Sequence, residues 1–418
     1  RAVGAGNDLA KVLADNSIVS VLSGNQDVPP VKEILRSPVD GRKDIYILFD
    51  YDWLNMGTLI HVKEDGTVKG VFKDVFYGLF AGGGNLAMST IAEELSFDPN
   101  GNLYYIKYVQ SGFEGRDSYY DIYKYNPVTY KEERIIRLEA SRYANIQLSQ
   151  DGNYVLAQSA YDDVLQGAGL RIIPVANPSA AYLIDKVGGK TVYVQSFGLN
   201  KQKNEIYFYG HVCDDGDLWS LGDFRLHKLS SNSFSKDDWE LTTLDTQPYD
   251  FSLLSKIIIA PDNSVWCTAL NPYNMFAKLL NSNGQPDFKI PNVFSSDGGG
   301  SLSFFSGQYV YFFGWNNSSR GGYYRARIDN PENAENLLTD PKLAAKFAKD
   351  DTQIWSYNVA GNDLYISGIE NPVWDWRDDG SGTLIEGDFF SGKIDMSTSA
   401  NTYTEFSGLG QVTAIVGY

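Results

Sequence analysis

The sequence predicts an all-β protein built from one repeated unit, a four-stranded antiparallel sheet, and three observations predict it. Tyrosine is abundant, at 28 of 418 residues, and aromatic residues make up 14% of the chain; such side chains favour the pleated, half-buried surface of strands. The stretch from Ile91 to Leu138 reads as four strands, IAEELSFD, NLYYIKYV, DIYKYN and YKEERIIRL, each alternating apolar with polar positions and bounded by turn residues such as Pro99, Asn100, Gly101 and Pro127. The pattern then recurs. Turns between a first strand and an aromatic second strand fall near Asp40, Asn100, Asp151, Gln202, Asp262, Gly307 and Gly361, at intervals of about 45 to 60 residues.

Taken in order, residues 1–30 form a lead-in with a helix-compatible piece, NDLAKVLADN, an alternating strand, SIVSVLSG, and the Pro29-Pro30 breaker. Residues 31–418 form a single repeat domain. A second hairpin follows each tight turn, with turns at Glu64-Asp65-Gly66, Asn126-Pro127 and Asn283-Gly284 among them. One helix is predicted, capped by Asp340 with Pro341 at its first position and running through KLAAKFAK. The last strand, QVTAIVGY, is left over once seven units are counted, as is SIVSVLSG. A four-stranded sheet is too small to bury its own faces, so the units must pack on one another. The resulting prediction is a seven-bladed β-propeller of four-stranded antiparallel blades, closed by pairing of the N- and C-terminal strands, which leaves no open edge.

On these repeated segments the chain resembles the secreted bacterial seven-bladed propellers of the YVTN, NHL and WD40-like kind. A Trp-Asp ending to each blade and the S-x-D-x-G-x-T-W box of sialidases are both absent, so the resemblance implies the fold and export rather than an activity. Arg1 in place of Met fits a processed mature chain or an engineered start. An exported protein of the bacterial cell surface, outer membrane or periplasm is therefore expected.

Charge and composition narrow the partners. Thirty-five basic against fifty-two acidic residues give a net charge of −17, which repels phosphate backbones and anionic lipid, so nucleic acid is not an expected partner. The apolar runs are strand-length, far below the roughly 20 residues of a membrane-spanning helix. Cys213 and Cys267 suit neither a disulfide framework nor a zinc site and are expected to stay unbridged.

Function is expected on the longer connections between second and third strands, because rigid sheets commonly carry their ligands on such loops. These begin at Asp50, Val109, Ser159, His211, Ala269, Gly314 and Ser367, and they hold five of the eight tryptophans: Trp53, Trp219, Trp315, Trp374 and Trp376. With Asp50, Asp52, Asp375 and Arg377 these make the candidate ligand-binding set. Flat rings for C–H surfaces beside carboxylates for hydroxyls suit a glycan, and the same residue types suit a protein partner. Packing each loop against its neighbour is the third reading of these tryptophans.

Catalysis finds no constellation. His61, His211 and His227 are scattered, no G-x-S-x-G stretch exists, and the serine-rich segment Ser295 to Ser303 reads as a flexible loop. No catalytic residue and no cofactor are expected, although calcium is the one cation the residues suggest. Its oxygens would come from Asp214, Asp215 and Asp217, or from Asp378, Asp379 and Glu386. The sequence thus points to a non-enzymatic binding or scaffold protein with a protein partner in an envelope assembly. A carbohydrate-binding propeller, or a glycosidase or lyase acting on polysaccharide, is the alternative.

Overall fold

A computed structural model describes residues 11–12, 18–22, 31–52, 56–63, 67–76, 96–109, 119–138, 143–159, 169–214, 225–244, 254–269, 275–293, 298–316, 319–348, 352–376, 382–406 and 414–417. They form an all-β protein of antiparallel meanders. Four-stranded sheets cover residues 143–184, 254–289, 298–336 and 353–405, and a five-stranded sheet covers 186–244. In each, strands follow one another in chain order, so every connection within a sheet is a hairpin.

Local chemistry fixes the hairpins. All seven predicted tight turns contain one residue in the left-handed region: Gly41, Gly101, Gly152, Asn204, Asn263, Gly307 and Gly361. Glycine and asparagine enter that region at least cost, which is why the turns were readable. Aspartates secure several of them. Asp98 Oδ1 accepts from the backbone N–H of Asn100 and Asn102 at 2.9 Å each, and Asp262 Oδ1 accepts from the Ser264 N–H at 2.9 Å. The predicted helix is present as Pro341–Phe347, with the Lys342 N–H donating to the Asp340 carboxylate at 2.8 Å.

Four expectations need correction. The first two repeats are not separate sheets: Val75↔Lys107 and Phe76↔Ile106 pair the strand Val68–Phe76 to Leu103–Val109, giving one eight-stranded sheet over 31–138. Short Ser96–Phe97 covers only the lower part of Leu103–Val109, and the preceding repeat fills the edge it leaves. The helix-compatible piece near residue 10 contains a strand, Lys11–Val12, paired to Ile18–Leu22. The serine-rich segment is strand from Gly298 to Ser306. Several presumed long loops are also strand, because the ladder carries on through Asp52, Asp214, Asn316 and Trp376.

Buried side chains gather between neighbouring sheets. Tyr104, Ile106 and Ile122 meet Ile146, Leu148 and Val155. Leu156, Leu170 and Ile172 meet Val194, Phe197 and Phe208, and Tyr207, Tyr209 and Leu226 meet Ile257, Val265 and Cys267. Ile258, Trp266 and Phe276 then meet Leu302 and Phe312, and Tyr311 and Tyr323 meet Leu364, Ile366 and Phe390. Each large apolar side chain so buried contributes about 1.5 to 3 kcal/mol, and it does so only if the next sheet is folded.

Strand Lys190–Asn200 also bonds side chain to backbone with the first strands of the two sheets beside it, Tyr143–Leu148 and Leu254–Ile259. Gln147 Oε1 accepts from the Leu199 N–H at 2.8 Å, and Ser196 Oγ accepts from the Ile257 N–H at 2.9 Å. These bonds satisfy edge groups that a sheet of this size leaves open. Strand Gln353–Ala360 lies beside Val31–Arg36 and beside Ala414–Gly417. The two terminal strands pair with each other, from Val19↔Gly417 to Leu22↔Ala414, in a three-stranded sheet of their own. No described helix is long and apolar enough to cross a membrane.

Candidate functional site

The sheet of residues 353–405 carries an extension. Its first strand, Gln353–Ala360, pairs with the second only as far as Gln353↔Ile369, and its fourth, Thr402–Glu405, pairs only with Gly392–Asp395. The second and third strands, Asp363–Trp376 and Gly382–Asp395, go on pairing through Glu370↔Asp388, Val373↔Glu386, Trp374↔Leu384, Asp375↔Thr383 and Trp376↔Gly382. Residues 370–376 and 382–388 are therefore a two-stranded ribbon beyond the sheet. At roughly 3.3 Å per residue it extends about 20 Å.

Two irregularities shape the ribbon's root. Register shifts fall between Glu370 and Val373 and between Val373 and Trp374, where Asn371 takes a φ of +50°. Pro372 sits in this bulged stretch, one of the few strand settings that tolerate a residue without an N–H. Past the bulge Val373 is 49% exposed, whereas Glu370 at the root is buried.

The helix braces that root. Lys346 Nζ donates to Glu370 Oε2 at 2.9 Å and lies 3.3 Å from Glu405 Oε1, with its ammonium 5.2 Å above the Phe390 ring. Burial works against the Lys346 charge, but the two carboxylates prevail and raise its pKa above the usual lysine value. A cation held by two carboxylates and a ring fixes the direction in which the ribbon leaves the sheet.

Most predicted site residues lie at the end of their sheets opposite the tight turns. Asp50 and Asp52 close the strand Ile45–Asp52, opposite Gly57 and Met56. Trp315 lies in Tyr309–Asn316, opposite Gly299. Trp374, Asp375 and Trp376 occupy the ribbon. Asp214 is the exposed last residue of Glu205–Asp214, across from Lys190; of the first calcium set it alone is described. Trp53, Trp219, Asp215, Asp217, Arg377, Asp378 and Asp379 lie outside the described residues. Glu386, of the second calcium set, is an exposed ribbon residue. Among the described residues no three His, Cys, Asp or Glu side chains group as metal ligands.

One polar chain has no counterpart in the predicted set. His61 Nε2 is 3.3 Å from Asp44 Oδ2, and its Nδ1 is 2.9 Å from the Tyr125 hydroxyl, while Tyr46 stacks on the imidazole at 4.7 Å. Burial lowers the His61 pKa, with Asp44 pulling the other way. Since His61 is 0% exposed, the chain joins the two halves of the eight-stranded sheet and offers no access to substrate. His61 and Tyr125 are 64 positions apart, and only the fold brings them together.

No family model and no curated protein matches the sequence. Among solved structures, the chain is similar to the β-propeller domain of the Trilobed protease from Pyrococcus furiosus, with 9% identity and a TM-score of 0.47 over 92% of this chain and 100% of that one. It is similar also to oligogalacturonate lyase from Vibrio parahaemolyticus, with 12% identity and a TM-score of 0.45 over 89% and 85% of the two chains. A third similar structure is YCF48 bound to D1 peptide, with 12% identity and a TM-score of 0.43 over 84% and 96%.

Proposed function

We propose that this protein is a seven-bladed β-propeller that serves as a non-enzymatic, exported scaffold and binds a protein partner through the ribbon of residues 370–388. In this reading the eight-stranded sheet counts as two blades, and the terminal three-stranded sheet closes the ring beside the strand Gln353–Ala360. The assembly would be one of the bacterial cell surface or periplasm. The ribbon carries the reading: two strands leave the packed sheet for about 20 Å, with Val373 exposed and Trp374, Asp375 and Trp376 along it. A projecting element with tryptophans has the composition of an interface anchor.

Carbohydrate binding, with or without turnover on polysaccharide, is the second reading. The observation that favours it is the spacing of Trp374 and Trp376, two residues apart on one strand with a carboxylate between them. Asp50 and Asp52 at another strand end are its next candidates.

Capture from native envelope extract separates the two. The intact chain and a variant whose residues 372–386 are replaced by Asn-Gly would each serve as bait, alongside a glycan panel. Recovery of a defined protein by the intact chain alone supports the scaffold. Glycan binding lost on Trp374→Ala with Trp376→Ala supports the second reading. Equal recovery by both baits removes the ribbon from the function.

A further inference from the structure

The two faces of the ribbon differ in chemistry. Cross-strand partners share a face and successive residues alternate, so Val373, Asp375, Glu386 and Asp388 fall on one face and Trp374 and Trp376 on the other. Val373, Glu386 and Asp388 are exposed. Glu370, the partner of Asp388, begins the same carboxylate-bearing face at the ribbon's root. From 370 to 388 the sequence holds six acidic residues and one basic residue, Arg377.

The root of that face already receives a cation. Lys346 Nζ donates to Glu370 Oε2 at 2.9 Å, beside Glu405 and over the Phe390 ring, and bonds of this charge-assisted kind are stronger than neutral ones. Farther out the same face continues with Asp388, Glu386 and Asp375. Glu386 and Asp388 are two residues apart on one strand, roughly 6.6 Å at about 3.3 Å per residue, which is also the spacing of alternate side chains in any extended chain. Val373, 49% exposed and paired with Glu386, offers apolar surface for the aliphatic stem that a lysine or arginine lays down behind its charge. The net charge of −17 draws such a cation in from a distance.

We infer that the carboxylate face of the ribbon receives a cationic segment of the protein partner, an extended stretch with lysine or arginine at alternate positions. This rests on the reading of the ribbon as the element that binds the partner, and it adds the partner's chemistry. The tryptophans of the reverse face remain available as apolar anchors.

Fluorescence anisotropy with a labelled peptide of alternating lysine and threonine tests this, with a peptide of alternating glutamate and threonine as the control. The intact chain should bind the lysine peptide saturably and the glutamate peptide not at all. Asp375→Asn with Glu386→Gln and Asp388→Asn should weaken binding about tenfold, as the loss of three ion pairs of surface strength implies. Glu133→Gln with Asp237→Asn and Glu240→Gln neutralises three exposed acids away from the ribbon. It changes the net charge equally and should leave the affinity nearly unaltered. Equal weakening by the two triple variants, or absence of saturable binding, would overturn the inference. The protein captured from envelope extract separates this inference from the reading beneath it. A partner lost when residues 372–386 are replaced by Asn-Gly, yet bound undiminished by the variant with Asp375, Glu386 and Asp388 neutralised, would keep the ribbon as the binding element and overturn the cationic segment. A partner retained after that replacement would overturn both.

Discussion

His227 shows how placement decides charge. It is 3% exposed, stacks on Phe208 at 4.9 Å, and its Nδ1 lies 3.1 Å from Thr243 Oγ1. Burial lowers its pKa to about 4; Arg225 acts in the same direction, and a hydrogen bond with the Gly210 backbone opposes them. The folded pKa is thus below the unfolded value near 6.5. As pH falls below 6.5 the unfolded chain takes up a proton that the folded chain refuses, so stability declines from there to about pH 4 and levels off below it. The full loss is at most about 3 kcal/mol. Urea unfolding at pH 7 and pH 5 should show a weaker fold at pH 5, and His227→Phe should lessen the difference. His61 shifts in the same direction, so one substitution removes only part of it. None of this was legible beforehand: the sequence named three histidines, but their burial depends on which sheet packs over each.

At the scale of the element, turns and caps were legible and strand ends were not. Turn conformation depends on the turn's own residues, and all seven predicted turns hold their left-handed glycine or asparagine. Their costs should differ with surroundings. A Cβ on Gly101, at φ +78°, would meet Val39 Cγ2 at 2.7 Å, whereas one on Gly307, at φ +58°, meets nothing within 4 Å. Gly307→Ala should therefore cost only the backbone penalty, about 1 to 2 kcal/mol, and Gly101→Ala should cost visibly more, as read from denaturant midpoints.

The sequence predicts a loop from Ser367 where the ribbon stands, and Asn371 and Pro372 interrupt any strand pattern there, since a bulge absorbs them only once the partner strand is in place. For the same reason the union of the first two repeats escaped the sequence, since it rests on two residue pairs between separate repeats. Shortening the ribbon by replacing 372–386 with Asn-Gly should leave the melting temperature nearly unchanged, because the first strand's ladder ends at Ile369. A drop of many degrees would mean that the ribbon packs on the body of the protein.

For the whole molecule, stability belongs to the junctions. Most buried clusters draw on adjacent sheets, as Trp266 and Phe276 meeting Phe312 illustrates, and the cluster of Tyr46, Phe72 and Tyr105 ties together the two repeats of the eight-stranded sheet, so the chain should unfold as one cooperative body. The repeat period made this legible: a sheet of four short strands has to find neighbours. The period does not reveal how the series ends, and the closed ring proposed here depends on the terminal strands. Their register can be tested directly. Ser20 and Val416 are cross-strand partners, a separation within disulfide reach. A chain carrying Ser20→Cys and Val416→Cys, with Cys213 replaced by Ser and the fully buried Cys267 retained, should oxidise to a single intramolecular bridge under native conditions. Clamping so long a loop should stabilise the fold by about 2 to 4 kcal/mol, seen as a higher denaturant midpoint than in the reduced form. Failure of the bridge to form in the folded protein, or a bridged chain no more stable than the reduced one, would contradict closure of the ring by its two ends.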